Sequence, residues 1–362
     1  MIFWITLIIT LGYATFWIIV DYYFQKKDVT INPSNENVFC SIIICAYNEE
    51  RKIEKCLMSI ISQDEISNYA EILIVDDGST DNTIQIAKSV LEKSKIPFQI
   101  ISNEKNTGKK RSIEKAIEHS NKKSEWIILR DADTFTLSNN WFKKLHNKMN
   151  NKNDLIIAPV ITFIEKKKIL AYLQYFEGLA LMSLTKGSLN LNKPILCNAA
   201  NMAFRKETFL KLQPYKTNYH LPTGDDIFIL QKFKSANCKI TSCFSNDSIV
   251  YTYPPQKLKS LFAQKSRWLS KTTIVNDYFN TFSGILISAM NILLLLIFTI
   301  NLNLFVKVFI IKILVDFIIL YTVQKHLKLK EINPFYFLIA EIGYIPYVCA
   351  LIFQYLFLKK LK

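Results

Sequence analysis

Residues 2–20, IFWITLIITLGYATFWIIV, carry no charge. A helix that crosses the hydrocarbon of a bilayer needs roughly 20 apolar residues, because each adds only about 1.5 Å. A secretory signal would place a positive segment before such a run and a small-residue cleavage site after it, and neither stands here. The first positive pair, Lys26 and Lys27, follows the run. Positive charge stays on the cytosolic side, so residues 1–24 read as an anchor whose N-terminus lies outside. Everything from residue 25 onward then starts on the inner side of the cell membrane.

Three more apolar stretches, about 282–300, 304–323 and 334–358, fill a C-terminal membrane region over 281–362. The first two are separated by Asn301, Leu302 and Asn303, which suits a tight helical hairpin. The stretch 304–323 holds Lys307, Lys312 and Asp316. Lys312 and Asp316 are four residues apart, share a helix face and are placed to pair. An interfacial helix with snorkelling lysines is the other reading of that stretch. Lys325, Lys328 and Lys330 mark a cytosolic loop. Lys359, Lys360 and Lys362 would fall outside if the last stretch spans, against the charge rule. The chain is 50% hydrophobic with a net charge of +15. Many of its lysines border the apolar stretches, so an anionic membrane surface explains the charge more simply than nucleic acid does. Anionic diphosphate substrates would benefit as well. Seven cysteines form no CxxC pair and four histidines have no metal-ligand spacing, which points to reduced thiols and against zinc.

Between the apolar ends lies one soluble domain, about residues 25–280. Val38–Cys45, Glu71–Val75, Phe98–Ile101 and Trp126–Leu129 read as strands. Residues 51–62, 82–94 and 109–119 read as helices between and after them. This βαβαβ order predicts an α/β fold with a doubly wound, mostly parallel sheet, whose ligand lies beyond the carboxyl ends of the strands. Each strand end carries polar punctuation: Tyr47-Asn48-Glu49-Glu50, then Asp76-Asp77-Gly78-Ser79-Thr80-Asp81, then Gly108-Lys109-Lys110, then Asp131-Ala132-Asp133. Residues 162–186 mix lysines with aromatic and aliphatic residues. They read as an interfacial helix, as does about 256–278, with a buried core helix as the alternative for the first.

No GxGxxG follows a strand and no GxxxxGK[ST] is present, which removes dinucleotide and P-loop sites. The Asp76–Asp81 run lacks the Gly at position six and the Glu at position twelve of a calcium loop. Asp131 and Asp133 offer two hard oxygen donors on one loop. Mg²⁺ commonly takes such a pair together with substrate phosphates. A helix N-cap is the bland reading of the same residues. Lys109 opens a helix whose N-terminus suits an anion, although a plain helix start has the same sequence.

The segments SIIICAYNEE, ILIVDDGSTDNT, NTGKK, DAD, TGDD and QKSRW occur in that order. The ordered set resembles the family 2 glycosyltransferases of the GT-A fold, over about residues 38–270. That group holds the cellulose, chitin, hyaluronan and poly-N-acetylglucosamine synthases and ceramide glucosyltransferase. The resemblance implies that Tyr47 and Glu49 lie against uridine and that Asp77 bonds the uracil. It implies that Asp131 approaches the ribose and diphosphate, and that Asp133 binds Mg²⁺ or Mn²⁺. Thr223-Gly224-Asp225-Asp226 matches the family's Glu-Asp motif, making Asp226 the catalytic base. Asp225 stands where Glu is commoner and has a shorter reach. Gln264, Arg267 and Trp268 match QxxRW, with Gln264 and Arg267 on the diphosphate and Trp268 flooring the acceptor site.

These roles agree with elementary chemistry. An acceptor hydroxyl needs a carboxylate to take its proton. A departing nucleoside diphosphate needs positive charge, and Arg suits phosphate better than Lys does. The expected activity is therefore inverting, metal-dependent transfer from a UDP-sugar. The acceptor is a lipid, with a growing polysaccharide as the alternative. An inactive membrane scaffold that binds nucleotide or lipid is the rival of another class. Sugar, linkage and oligomeric state stay open.

Overall fold

The computed structural model describes residues 2–26, 38–272 and 277–358. Lys27 and the tail lysines 359, 360 and 362 lie outside the described residues. Two compact units form. One comprises Lys27–Ile161 and Leu196–Tyr253, the other Met1–Lys26, Thr162–Ile195 and Pro254–Lys362.

Among the described residues the first unit is built on ten strands: β1 Phe39–Ala46, β2 Ala70–Asp76, β3 Phe98–Ser102, β4 Ser124–Asp131, β5 Thr134–Phe135, β6 Leu155–Ile157, β7 Val160–Thr162, β8 Met202–Arg205, β9 Ile240–Ser242 and β10 Val250–Thr252. Seven make one sheet in the order β3-β2-β1-β4-β8-β6-β9, and β5, β10 and β7 make a small second sheet. β1 to β4 are mutually parallel, as the alternation of strand and helix predicts. β8 runs antiparallel between β4 and β6. The chain winds outward from β1 in both directions, so the strand order reverses between β1 and β4. That is the place where an open parallel sheet leaves a crevice.

The β-branched runs of the central strands bury both faces of the sheet. Ile42, Ile44, Ile72, Ile74 and Ile128 have no exposed surface. Each such side chain contributes about 1.5–3 kcal/mol of burial. The helix Ile53–Ile61 adds Ile53, Cys56, Leu57 and Ile60, an apolar stripe at helical spacing. Register then levels the strand ends: Ala46 sits opposite Asp76, Asp76 opposite Ser102, and Cys45 opposite Asp131. Arg130, one residue earlier on β4, points into the core instead. It is 1% exposed and lies 4.6 Å from the Trp141 ring centroid.

The second unit contains the helices Ile2–Gln25, Ile169–Asn190, Leu258–Thr272, Tyr278–Ile300, Leu302–His326 and Pro334–Phe353. Among the described residues three segments are long and apolar enough to cross a membrane: Ile2–Gln25, Tyr278–Ile300 and Pro334–Leu356. The helix Leu302–His326 is as long, but its charges keep it out of that set. Its expected ion pair forms, with Lys312 Nζ 2.6 Å from Asp316. The helix Ile169–Asn190 is buried without a break from Met182 to Leu189. Lys186 in that stretch donates to the Phe24 carbonyl at 2.8 Å. The two backbones meet closely there: a Cβ on Gly187 would stand 2.6 Å from the Val20 carbonyl oxygen.

Candidate active site

The loops after β1 and β2 are stitched together by their backbones. The Asn48 N–H donates to Ser79 Oγ, the Thr80 N–H to Asn48 Oδ1, and the Glu49 N–H to Thr83 Oγ1. Asn48 holds φ at +55°, a left-handed conformation that Asn tolerates better than most residues. This turn leaves Tyr47 49% exposed beside the strand ends.

Asp77 anchors the next loop. Its Oδ1 accepts from the Thr107 N–H, the Thr107 hydroxyl and the Asn103 amide, and its Oδ2 accepts from the Gly108 N–H. Four donors fill the usual capacity of a carboxylate. A uracil contact at Asp77 would therefore have to share or displace one of them. Burial pushes this carboxyl up, but the hydrogen bonds outweigh it and hold it below its ordinary value. A depressed carboxyl stabilises the fold above its unfolded pKa of about 3.9 and loses that effect as pH falls through the folded value. Asp77→Asn should flatten the acid limb of the stability profile. Thermal midpoints between about pH 6 and pH 3 would check it, and an unchanged acid limb would refute it.

Gly108 takes φ +91° and starts the helix Lys109–His119. Lys109 Nζ lies 2.5 Å from Asp131 and 2.7 Å from Asp225. Burial alone would lower the Lys109 pKa, but the two carboxylates raise it well above the usual lysine value. The lysine is therefore a fixed cation between the end of β4 and the helix Asp225–Ser235. Asp133 is paired with Lys52 at 3.6 Å, and Lys52 also reaches Glu49 at 3.4 Å. Burial and the nearby Asp131 push the Asp133 carboxyl up. Burial raises Glu49 likewise, against the pull of Lys52.

Asp225 and Asp226 open their helix after Gly224, which takes φ +100°. The Ile227 N–H donates to Asp226 Oδ1 at 2.8 Å, and the Tyr215 hydroxyl to the Asp225 carbonyl at 3.0 Å. A Cβ on Gly224 would fall 2.6 Å from Phe228 Cε2. Gly224→Ala should therefore cost about 1–3 kcal/mol and tilt the two acids. The fall in thermal midpoint checks it, and an unchanged midpoint with full activity would count against it.

The structure thus gathers Asp131, Asp225 and Lys109 into one cluster, with Glu49 and Asp133 joined through Lys52. The sequence reading missed Lys52. Its available signal was the three-residue spacing from Glu49, which puts both on one side of a helical turn. Gln264, Arg267 and Trp268 lie in the helical unit, on Leu258–Thr272. Their spacing of three and four residues gives them a common face. Trp268 is 38% exposed, with Lys265 Nζ 4.0 Å from its ring centroid.

Among the described residues no group of three His, Cys, Asp or Glu is placed to hold a metal ion. The Asp131 and Asp133 side chains are each about one-third exposed and close enough that Asp131 raises the Asp133 carboxyl, a pair of hard oxygen donors whose chemistry suits a divalent ion, and each is paired with a lysine here.

The mostly parallel, outward-winding sheet with acids at its strand ends agrees with the GT-A fold that the sequence resembles. Residues 41–212 match the family model described as Glycosyl transferase family 2. A poly-beta-1,6-N-acetyl-D-glucosamine synthase of Staphylococcus aureus is 21% identical over 282 residues, covering 74% of this chain and 65% of that protein. An uncharacterised protein of Methanocaldococcus jannaschii is 41% identical over 93 residues, 25% of this chain and 38% of that one. The chain therefore spans under two thirds of the length of these curated relatives. A mannosyltransferase from Pyrobaculum calidifontis, solved in complex with GDP-Man and Mn²⁺, shares the fold over 99% of both chains, with a TM-score of 0.62 at 13% identity.

Proposed function

We propose that this chain transfers a hexosyl group from a nucleoside diphosphate sugar, a UDP-sugar, to a hydroxyl of a membrane-associated acceptor. The observation that carries this reading is the pairing of Lys109 with Asp131 at the end of β4 and with Asp225 at a helix start, beside the β1–β4 crevice. Asp226 removes the acceptor proton as its oxygen attacks the anomeric carbon, which inverts that centre. Tyr47 and the Asp77-anchored loop line the nucleoside end. Asp131 and Asp133 hold the divalent ion, whose positive charge, when bound, stabilises the departing diphosphate. Asp225 orients Lys109, and Lys109 adds a fixed positive charge beside Asp131. The roles of Gln264, Arg267 and Trp268 rest on the family resemblance.

Three apolar helices support attachment to the cell membrane, and Lys26 supports a cytosolic site. A lipid acceptor is the first reading of the product. The likeness to a polysaccharide synthase favours a second, processive extension of a glycan. Incubating membranes with a panel of nucleotide sugars and reading released nucleotide tests the transfer. Release should stop with EDTA and return with Mn²⁺. No release from any donor would defeat the proposal. Product masses then separate the acceptors, since a ladder of oligomers excludes single transfer to lipid.

A further inference from the structure

The helix Leu258–Thr272 turns one lysine inward. Lys257, just before it, and Lys259 in its first turn are exposed, whereas Lys265 is 7% exposed. Leu261, four residues before Lys265, is fully buried, so the two share the inner side of the helix. A buried ammonium is costly unless it is paired. Its partner is Glu177 on the helix Ile169–Asn190, at 2.7 Å, and the Glu177 side chain is itself 12% exposed. The helix has a second fixed point one turn earlier, where the Phe262 ring meets Tyr347 edge-on at 5.6 Å. The Lys265 ammonium also stands over the Trp268 ring, 4.0 Å from its centroid, while the indole itself stays partly exposed. One buried carboxylate thus fixes a cation, and the cation lies against one face of an accessible indole.

We infer that Lys265, held by Glu177, is a positioning residue that presets the Trp268 indole for the acceptor. The inference rests on the acceptor role that the family resemblance gives Trp268, and it adds two residues that the resemblance does not assign. A side chain left free must be ordered when a ligand binds, and that ordering weakens binding. A cation over one ring face removes much of the cost, because the indole loses the cation–π attraction if it swings away. The lysine stem is flexible, so it serves as a fixed support only because Glu177 holds its end. The face under the ammonium is closed to a ligand, which leaves the opposite face for the acceptor. A buried pair that merely joined two helices would need no contact with the indole.

Two measurements on the full chain in detergent test this. The first is acrylamide quenching of Trp268, isolated by subtracting the emission of Trp268→Phe; it should rise in Lys265→Met, which bares the covered ring face. The second is transfer from the labelled UDP-sugar that releases nucleotide most readily, with a detergent extract of the cell membranes as acceptor. Lys265→Met should raise the half-saturating amount of extract about three- to tenfold and leave the donor KM within about twofold. Lys265→Arg keeps a cation and should recover most of both. If Lys265→Met fails to fold, Lys265→Met with Glu177→Leu removes the stranded carboxylate as well and reads the same two quantities. Unchanged quenching in a folded variant overturns the support of Trp268 by Lys265. Raised quenching with unchanged acceptor dependence, or with an equal rise in donor KM, overturns its role toward the acceptor. No transfer by the unaltered chain defeats the transferase reading and the acceptor role with it, a result the quenching arm keeps apart from failure of the support.

Discussion

Asp226→Asn is expected to lower sugar transfer by about 10²–10⁴-fold while leaving donor binding intact. The change removes the proton acceptor and keeps the shape. The Ile227 N–H that now donates to Asp226 Oδ1 can donate to the amide oxygen instead, so the helix start survives. Donor affinity, read by displacement of labelled nucleotide, should change little. Turnover should fall, with KM for the donor nearly unchanged, as for a group that acts in the transition state. Near wild-type turnover with donor bound would end the assignment of Asp226 as the base. Asp225→Asn serves as the contrast. Asp225 faces Lys109 rather than standing as the base, so its loss should disturb donor binding more than the chemical step.

Lys109→Met should destabilise the sheet unit. Removing one partner of a fully buried pair costs about 3–5 kcal/mol. Lys109 and Asp131 keep 31% and 33% of their side-chain surface exposed, which screens them and brings the expected loss to about 1–3 kcal/mol. The loss has a specific origin: Asp131 and Asp225 would face one another without the cation between them. Adding Asp225→Asn to Lys109→Met should therefore restore part of the stability. A double-mutant cycle on thermal midpoints reads this coupling. Strictly additive losses would show that Lys109 acts through packing alone. The same variant should weaken donor affinity, because a positive charge beside the diphosphate is gone.

The two features behind these predictions differ in how far the sequence exposes them. The helix Lys109–His119 begins and ends where its periodicity predicts, β1 is shifted by one residue from the read strand, and β2 to β4 extend theirs by one to four residues. Long β-branched runs bounded by polar turns have few alternatives. By contrast β6, β8 and β9 are three or four residues each, too short for a period to register. Their pairing depends on chain brought together across dozens of residues. The antiparallel insertion of β8 beside β4 was invisible for that reason. Lys109 shows the same limit at the site. Its position at a helix start suggests an anionic ligand, whereas the fold gives it two carboxylates from distant segments. Lys52 and the saturation of Asp77 by the 103–108 loop are likewise products of tertiary proximity.

Arg130 and Asp131 are adjacent on β4 and face opposite sides of the sheet, one against Trp141 and the other toward the crevice. A slip of one residue in the pairing of β4 with β1 would exchange them. A cation would then enter the crevice, and a carboxylate would enter the packing around Trp141, where the ring face repels negative charge. The misregistered chain would lose both contacts at once. The two neighbouring charges therefore work as a proofreading mark: the alignment that assembles the acidic crevice is the one in which the guanidinium finds its ring.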